Sequence, residues 1–278
     1  MSCNGDCENC SSGNDCESCG GDCKHEIKKL ELCDGSSVGK IIAVLSGKGG
    51  VGKSMVTSLL AVELAKAGKK VGVLDSDITG PSIAKTFGFE GEIYGDDKGI
   101  FPHVSKTGIK SISINMMLET EETPVVWRGA LLTSVISQFY SEVHWGELDY
   151  LLIDMPPGTG DVALTVFQQL PVDEVVMVTT PSKLVSMVVA KAINMTEMVK
   201  APIVGLVDNM AYVKCDNCGH AINIYKEDDT ENIAKKYGLN VVSKLPIDPV
   251  LANLVDEGRI EEYDGNYLEE LTKRIIND

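Results

Sequence analysis

The run Gly47-Lys48-Gly49-Gly50-Val51-Gly52-Lys53-Ser54 constrains this chain more than any other stretch. It fits GxxxxGK[ST], behind the apolar run Ile41–Leu45 and ahead of a helical pattern over Ser54–Ala67. A glycine-rich turn between strand and helix curls its backbone N–H groups around phosphate oxygens. The helix that follows points its positive N-terminal end at the anion. Lys53 then adds charge near the β and γ phosphates, and Ser54 offers its hydroxyl to Mg²⁺. All eight residues are therefore expected to touch a nucleotide.

Short apolar runs alternate with helical stretches from Ile41 onward. Strands are expected at Ile41–Leu45, Val71–Leu74, Tyr150–Ile153, Val175–Val178 and Ile203–Val207, and also at Ile112–Ile114 and Val241–Leu245. Helices are expected at Ser54–Ala67 (closed by Gly68), Ala130–Tyr140, Val162–Leu170 and Leu184–Val199, with a surface helix at Tyr267–Ile276. Alternating strands and helices build βαβ units, so the expected fold class is α/β, a mainly parallel sheet flanked by helices. Residues 37–278 would form that nucleotide-hydrolase domain. Residues 1–36 read as a Cys-, Gly- and Ser-rich tail with no hydrophobic periodicity before Ile27, unable to bury a core unless metal orders it.

Carboxylates at the C-terminal ends of parallel strands face the ligand crevice. Asp75 and Asp77 close the run Val71–Leu74, and Asp154 closes Tyr150–Ile153. Asp154 is expected to hold Mg²⁺ directly or through water, and Asp75 to support the loop. The turn Asp154-Met155-Pro156-Pro157-Gly158-Thr159-Gly160-Asp161 can sense a γ-phosphate. No guanine-reading NKxD run is present, and the amide of Asn209 can pair with an adenine edge. ATP is therefore expected rather than GTP.

The formal net charge of -16 disfavours phosphate-backbone binding, which needs Lys/Arg clusters, and docking on anionic membranes. Neither nucleic acid nor membrane is an expected partner. The longest apolar runs fall short of the ~20 residues of a spanning helix, and the polar N-terminus does not read as a secretory signal. A reducing, cytoplasmic setting is expected. In it, cysteine clusters serve metals more often than disulfides.

Of nine cysteines, seven lie in the first 33 residues, and Cys215 and Cys218 form a CxxC. Two thiolates cannot complete a four-sulfur site, but two copies of the chain can. Iron–sulfur and zinc both fit such a site, and a redox pair fits the spacing but not the position. The tail doublets Cys7/Cys10 and Cys16/Cys19 also point to metal; a second cluster, zinc and an unstructured thiol donor all fit them.

The run GKGGVGKS resembles the deviant Walker A of the MinD/ParA/nitrogenase-reductase group. Further stretches match one branch in order: Asp77–Ser82, Val126–Gly129, Ile153–Asp161, Thr179–Pro181, Asp208–Met210, Cys215–His220 and Pro246–Pro249. Over residues 40–260 the sequence resembles the Mrp/ApbC iron–sulfur cluster carrier ATPases. Ala130 and Ser182 depart from the common proline and glutamine of that pattern.

This resemblance implies that Lys48 reaches the partner's nucleotide in a sandwich homodimer, or else is a solvated loop lysine. Lys48, Lys53 and Asp77 become the expected catalytic set, with Asp77 orienting or deprotonating the attacking water. Ser54, Asp77 and Asp154 become the Mg²⁺ set. It further implies that Cys215 and Cys218 bridge a labile 4Fe–4S cluster between subunits, passed to apo iron–sulfur proteins. Some relatives bind a second cluster through four N-terminal cysteines; Cys3, Cys16, Cys19 and Cys23 come near that spacing without equalling it. A MinD/ParA-like positioning switch is the competing class. Its membrane form needs a basic amphipathic C-terminal helix, whereas residues 257–278 carry seven acids and three bases.

Overall fold

A computed structural model describes residues 29–77, 80, 82–117, 129–215, 217–225 and 230–277. From Ile41 onward, the central strand β1 (Ser37–Ser46) alternates sides without meeting water. Ile41, Ala43 and Leu45 face one core, and Ile42 and Val44 the other. A strand buried on both faces needs helices on both sides. One layer contains α3 (Gly129–Ser141), α4 (Asp161–Gln169) and α5 (Lys183–Met198). The opposite layer contains α1 (Lys53–Lys66), α7 (Pro249–Asp256) and α8 (Glu269–Asn277).

Strands β2 (Val71–Asp75), β6 (Lys110–Ile112), β7 (Glu147–Asp154), β8 (Glu174–Thr179), β9 (Ile203–Lys214) and β11 (Val241–Ile247) run parallel to β1. Antiparallel edges come from β5 (His103–Val104) and β10 (Ala221–Asn223). The order is β10-β9-β8-β1-β7-β2-β6-β5, with β11 also paired to β9. The short hairpin β3 (Tyr94–Asp96) and β4 (Gly99–Phe101) stands apart. Two small helices, α2 (Ile83–Thr86) and α6 (Thr230–Lys236), complete the set. The α/β, mainly parallel architecture is the one the sequence predicts.

Two expectations are corrected and a third, the C-terminal helix, gains detail. The strand expected at Ile112–Ile114 ends at Ile112, because Ser113 turns its hydroxyl to Asp75 (2.9 Å) and Ile114 opens a 3-10 turn to Met117. The C-terminal helix lies at the surface as expected, with Glu269, Glu270 and Lys273 exposed and its other face buried. Leu271 and Ile275 are fully buried, and Glu63 accepts hydrogen bonds from Leu268 N (2.9 Å) and Thr272 Oγ1 (3.3 Å). Last, residues 29–36, read with the tail, lie on the domain. Lys29 Nζ caps the C-terminal carbonyls of Phe167 (2.6 Å) and Leu170 (3.0 Å), Leu30 N reaches Gln169 O (2.8 Å), and Leu30 and Leu32 pack on the core. Cys3, Cys16, Cys19 and Cys23 lie outside the described residues, as do 78–79, 81 and 126–128 of the matched motifs.

Candidate nucleotide site and its thiol hairpin

The loop between β1 and α1 opens onto a cleft of about 470 Å³ lined by Lys48, Gly49, Gly52, Lys53, Ser54 and Asp77, among others. Gly50 and Gly52 both adopt φ 78°, a left-handed turn that side chains resist. At Gly52 the space is also closed: a Cβ would stand 2.3 Å from Asn209 Nδ2. Lys48 is exposed and Lys53 is buried, at 5%. The two lysines of one loop thus face different surroundings.

Asp154 organises the floor. It pairs in register with Val44 of β1 and Asp75 of β2. Its Oδ2 takes the Lys53 ammonium at 2.6 Å and the Ser54 hydroxyl at 2.6 Å, and its Oδ1 takes Thr57 Oγ1 at 2.6 Å. Asp77 Oδ2 lies 3.8 Å from Lys53 Nζ. Ser54, Asp77 and Asp154 therefore converge on Lys53. Their oxygens are the hard donors Mg²⁺ takes. Asp154 already holds three groups, so its place is behind Ser54, holding that hydroxyl.

Asp75 has the supporting place expected of it. It accepts from Ser113 Oγ (2.9 Å), Asp77 N (3.1 Å) and Ile83 N (3.4 Å). Burial first, then the neighbouring Asp154 charge, pushes its pKa up, with Lys53 and these hydrogen bonds opposing. Thr57 and Ser76 were missed in the sequence. Thr57 lies one helical turn after Lys53, and that spacing was a legible signal. Ser76 Oγ holds the Asp154 carbonyl (2.7 Å) across strands distant in sequence. The turn after Asp154 is tied to the loop strand by Gly158 N donating to Ser46 O (2.9 Å).

Asn209, expected at an adenine edge, uses its amide donor on the loop. It is 1% exposed, and its amide N–H donates to Val51 O at 2.9 Å, so that donor grips the loop rather than a base. Its Oδ1 is buried without a hydrogen-bond partner among the described residues.

Cys215 follows directly on β9. Its N–H donates to His220 O (2.9 Å), its carbonyl accepts from Gly219 N (2.8 Å), and β10 returns antiparallel along β9. The CxxC therefore occupies the tip of a β-hairpin, with Cys215 half-buried and Cys218 exposed, neither in a disulfide. His220 is exposed and contributes its backbone to the turn. Asp208 is level with Thr179, one residue past the pair Ser46–Val178. The strand runs on to Lys214, so Cys215 projects roughly 20 Å beyond the crevice, at ~3.3 Å per residue.

The model of the ParA-type NUBPL iron-transfer P-loop NTPase family matches residues 37–278. The chain belongs to this family. It is a P-loop nucleoside triphosphate hydrolase. An iron-sulfur cluster carrier protein of Clostridium perfringens is 41% identical over 269 residues, covering 93% of this chain and 94% of the relative. One from Methanocaldococcus jannaschii is 43% identical, covering 92% and 89%. A nucleotide-binding protein from Archaeoglobus fulgidus, solved in complex with ADP, superposes with TM-score 0.75 at 46% identity, covering 84% of this chain and 91% of that one. The cell-division ATPase MinD of Pyrococcus furiosus, 21% identical with TM-score 0.63, shares the fold. No helix among the described residues of this NUBPL-type chain is long and apolar enough to cross a membrane.

Proposed function

We propose that this chain is an ATP-hydrolysing iron–sulfur cluster carrier that works in the cytoplasm. The carrying observation is that β9 joins the two sites: Asn209 grips the phosphate loop, and Cys215, six residues on, stands at the exposed hairpin tip. The cargo is a 4Fe–4S cluster held by Cys215 and Cys218 of two copies and released to apo iron–sulfur proteins. The names of the curated relatives and the family support this reading.

Gly47–Ser54 would wrap the phosphates, with Lys53 leaving Asp154 to meet the β and γ oxygens. Lys48, exposed on the loop, extends to the nucleotide of the second copy. Mg²⁺, held by Ser54 with Asp77 and Asp154 behind it, would neutralise charge on the phosphate oxygens. Asp77 orients the attacking water. Asn209 Oδ1 remains as an acceptor for an adenine amino group, which favours ATP. Cys3, Cys16, Cys19 and Cys23 form a second cluster set in this reading.

A membrane-positioning switch is the weaker reading, because the apolar face of α8 is taken by the core. Zinc in the four-thiolate site is the other competitor. Anaerobic reconstitution with iron and sulfide separates them. About four irons and four sulfides per dimer, lost in Cys215→Ala/Cys218→Ala, are expected. Zinc without sulfide, or a cluster retained and still transferred by the double variant, would sink the carrier reading.

A further inference from the structure

Helix α1 opens at Lys53, so Thr57 is the first residue whose side chain lies behind that lysine on the same helix face. Thr57 is fully buried. Its Oγ1 lies 2.6 Å from Asp154 Oδ1 and 3.1 Å from the Lys53 carbonyl. A hydroxyl has one proton, and the nearer, charged oxygen takes it. The rest of Asp154 is held from other directions. Ser76 donates to its carbonyl twice, from Oγ (2.7 Å) and from N (2.9 Å). Its Oδ2 meets Lys53 Nζ and Ser54 Oγ, each at 2.6 Å. Ser76 thus fixes the backbone and Thr57 fixes one carboxylate oxygen, while the other oxygen faces the phosphate loop.

These bonds are not equivalent once a nucleotide binds. Lys53 is the loop's phosphate-binding lysine, and its move to the phosphates removes one of the two partners of Oδ2. Ser54 remains. It donates its only proton to Oδ2 and so keeps its lone pairs for a hard cation. The terminal torsion of an aspartate is broad and weakly held by itself. A carboxylate anchored through one oxygen can therefore swing away from Ser54. The Thr57 bond to Oδ1 is a second anchor, and it does not depend on where Lys53 is.

We propose that Thr57 is a positioning residue for nucleotide hydrolysis: its hydroxyl fixes Asp154 so that Oδ2 keeps the Ser54 proton after Lys53 has left. Thr57 touches neither the nucleotide nor the ion and acts through Asp154 and Ser54. The inference rests on the Mg²⁺ role proposed above for Ser54. It separates two effects of losing the hydroxyl. A hydroxyl that only supports the fold lowers stability and leaves the response of the folded chain to Mg²⁺ unchanged. A hydroxyl that orients Asp154 lowers the affinity that Mg²⁺ adds to nucleotide binding, and it lowers turnover with it.

The test compares the full chain with Thr57→Val, Thr57→Ser and Ser54→Ala. Equilibrium ADP binding is measured with Mg²⁺ and with EDTA, and ATP hydrolysis at saturating MgATP. Valine keeps the shape of threonine without its proton; serine keeps the proton. Thr57→Val should bind ADP in EDTA as wild type does. It should lose roughly tenfold of the affinity that Mg²⁺ adds, and kcat should fall roughly tenfold. Thr57→Ser should restore both, and Ser54→Ala should lose the Mg²⁺ gain. Equal losses in EDTA and in Mg²⁺, or a serine variant no better than valine, overturn the proposal. A full Mg²⁺ gain in Thr57→Val, with the gain lost in Ser54→Ala, overturns the Thr57 role and leaves the Mg²⁺ role of Ser54 standing. A gain that Ser54→Ala keeps removes that Mg²⁺ role and the Thr57 proposal together.

Discussion

Asn209 donates its side-chain amide to the Val51 carbonyl at 2.9 Å, with that side chain buried against Gly52. The contact ties the middle of β9 to the phosphate loop, and β9 ends at Lys214, directly before the CxxC. Anything that reshapes the loop acts on the strand that bears the thiols. Asn209→Ala leaves the Val51 carbonyl without this donor and opens a gap beside Gly52. We expect nucleotide affinity to fall roughly tenfold, matching the ~1–2 kcal/mol of a buried hydrogen bond. Cluster release from the reconstituted protein should also lose its dependence on ATP. Release that still responds to ATP would break the proposed link.

The two loop lysines should separate. Lys53 is buried among Asp154, Asp77 and Ser54, whereas Lys48 is exposed. Lys53→Ala should weaken ATP binding by roughly 10- to 100-fold, the size of a lost charge-assisted hydrogen bond. Lys48→Ala should leave binding to dilute, monomeric protein near normal and lower hydrolysis in the dimer. Equilibrium binding and steady-state hydrolysis, measured across protein concentration, read both. Equal losses of binding in the two variants would refute the partner-reaching role of Lys48.

Gly52→Ala is expected to be more damaging than its size suggests. The residue holds φ 78°, and a methyl group there would press on Asn209 Nδ2. The backbone term alone costs about 1–2 kcal/mol. Gly50→Ala carries the same φ with nothing within 4 Å. The Gly50 variant should therefore lose less stability than the Gly52 variant in urea titrations. The reverse order would show that the Asn209 contact is not what closes the space.

Glu63 gives a pH signature. Burial raises its pKa above the ordinary value, while Leu268 N–H, the Thr272 hydroxyl and Lys66 pull it back. The folded chain thus holds this proton more tightly than the unfolded one. The contribution of Glu63 to stability is fully present below the unfolded pKa and is lost as pH rises through the folded value. Glu63→Gln keeps an acceptor for Leu268 and removes the titration. Relative to the variant, wild type should lose stability as pH rises from the ordinary glutamate value upward. A stability difference constant across that range would mean that Glu63 does not titrate differently on folding.

Much of the site was legible as one-dimensional pattern. GKGGVGKS between a strand and a helix can satisfy its glycines and its lysine in few ways, so Gly47–Ser54 were found from spacing alone. Asp75, Asp77 and Asp154 were found because parallel strands end at the crevice. Residue order also placed β1, β2, β7, β8 and β9, since a strand buried on both faces reads as an unbroken apolar run. Tertiary structure alone decided what faces what. Asn209 lies 158 residues from Val51, and no local signal tells whether its amide meets a base or the loop. The amphipathic pattern of α8 was visible, but only the presence of Glu63 and the sheet beside it shows that its apolar face is covered. Sequence determines what a segment can do with its immediate neighbours; contacts between distant segments depend on how the sheet orders its strands.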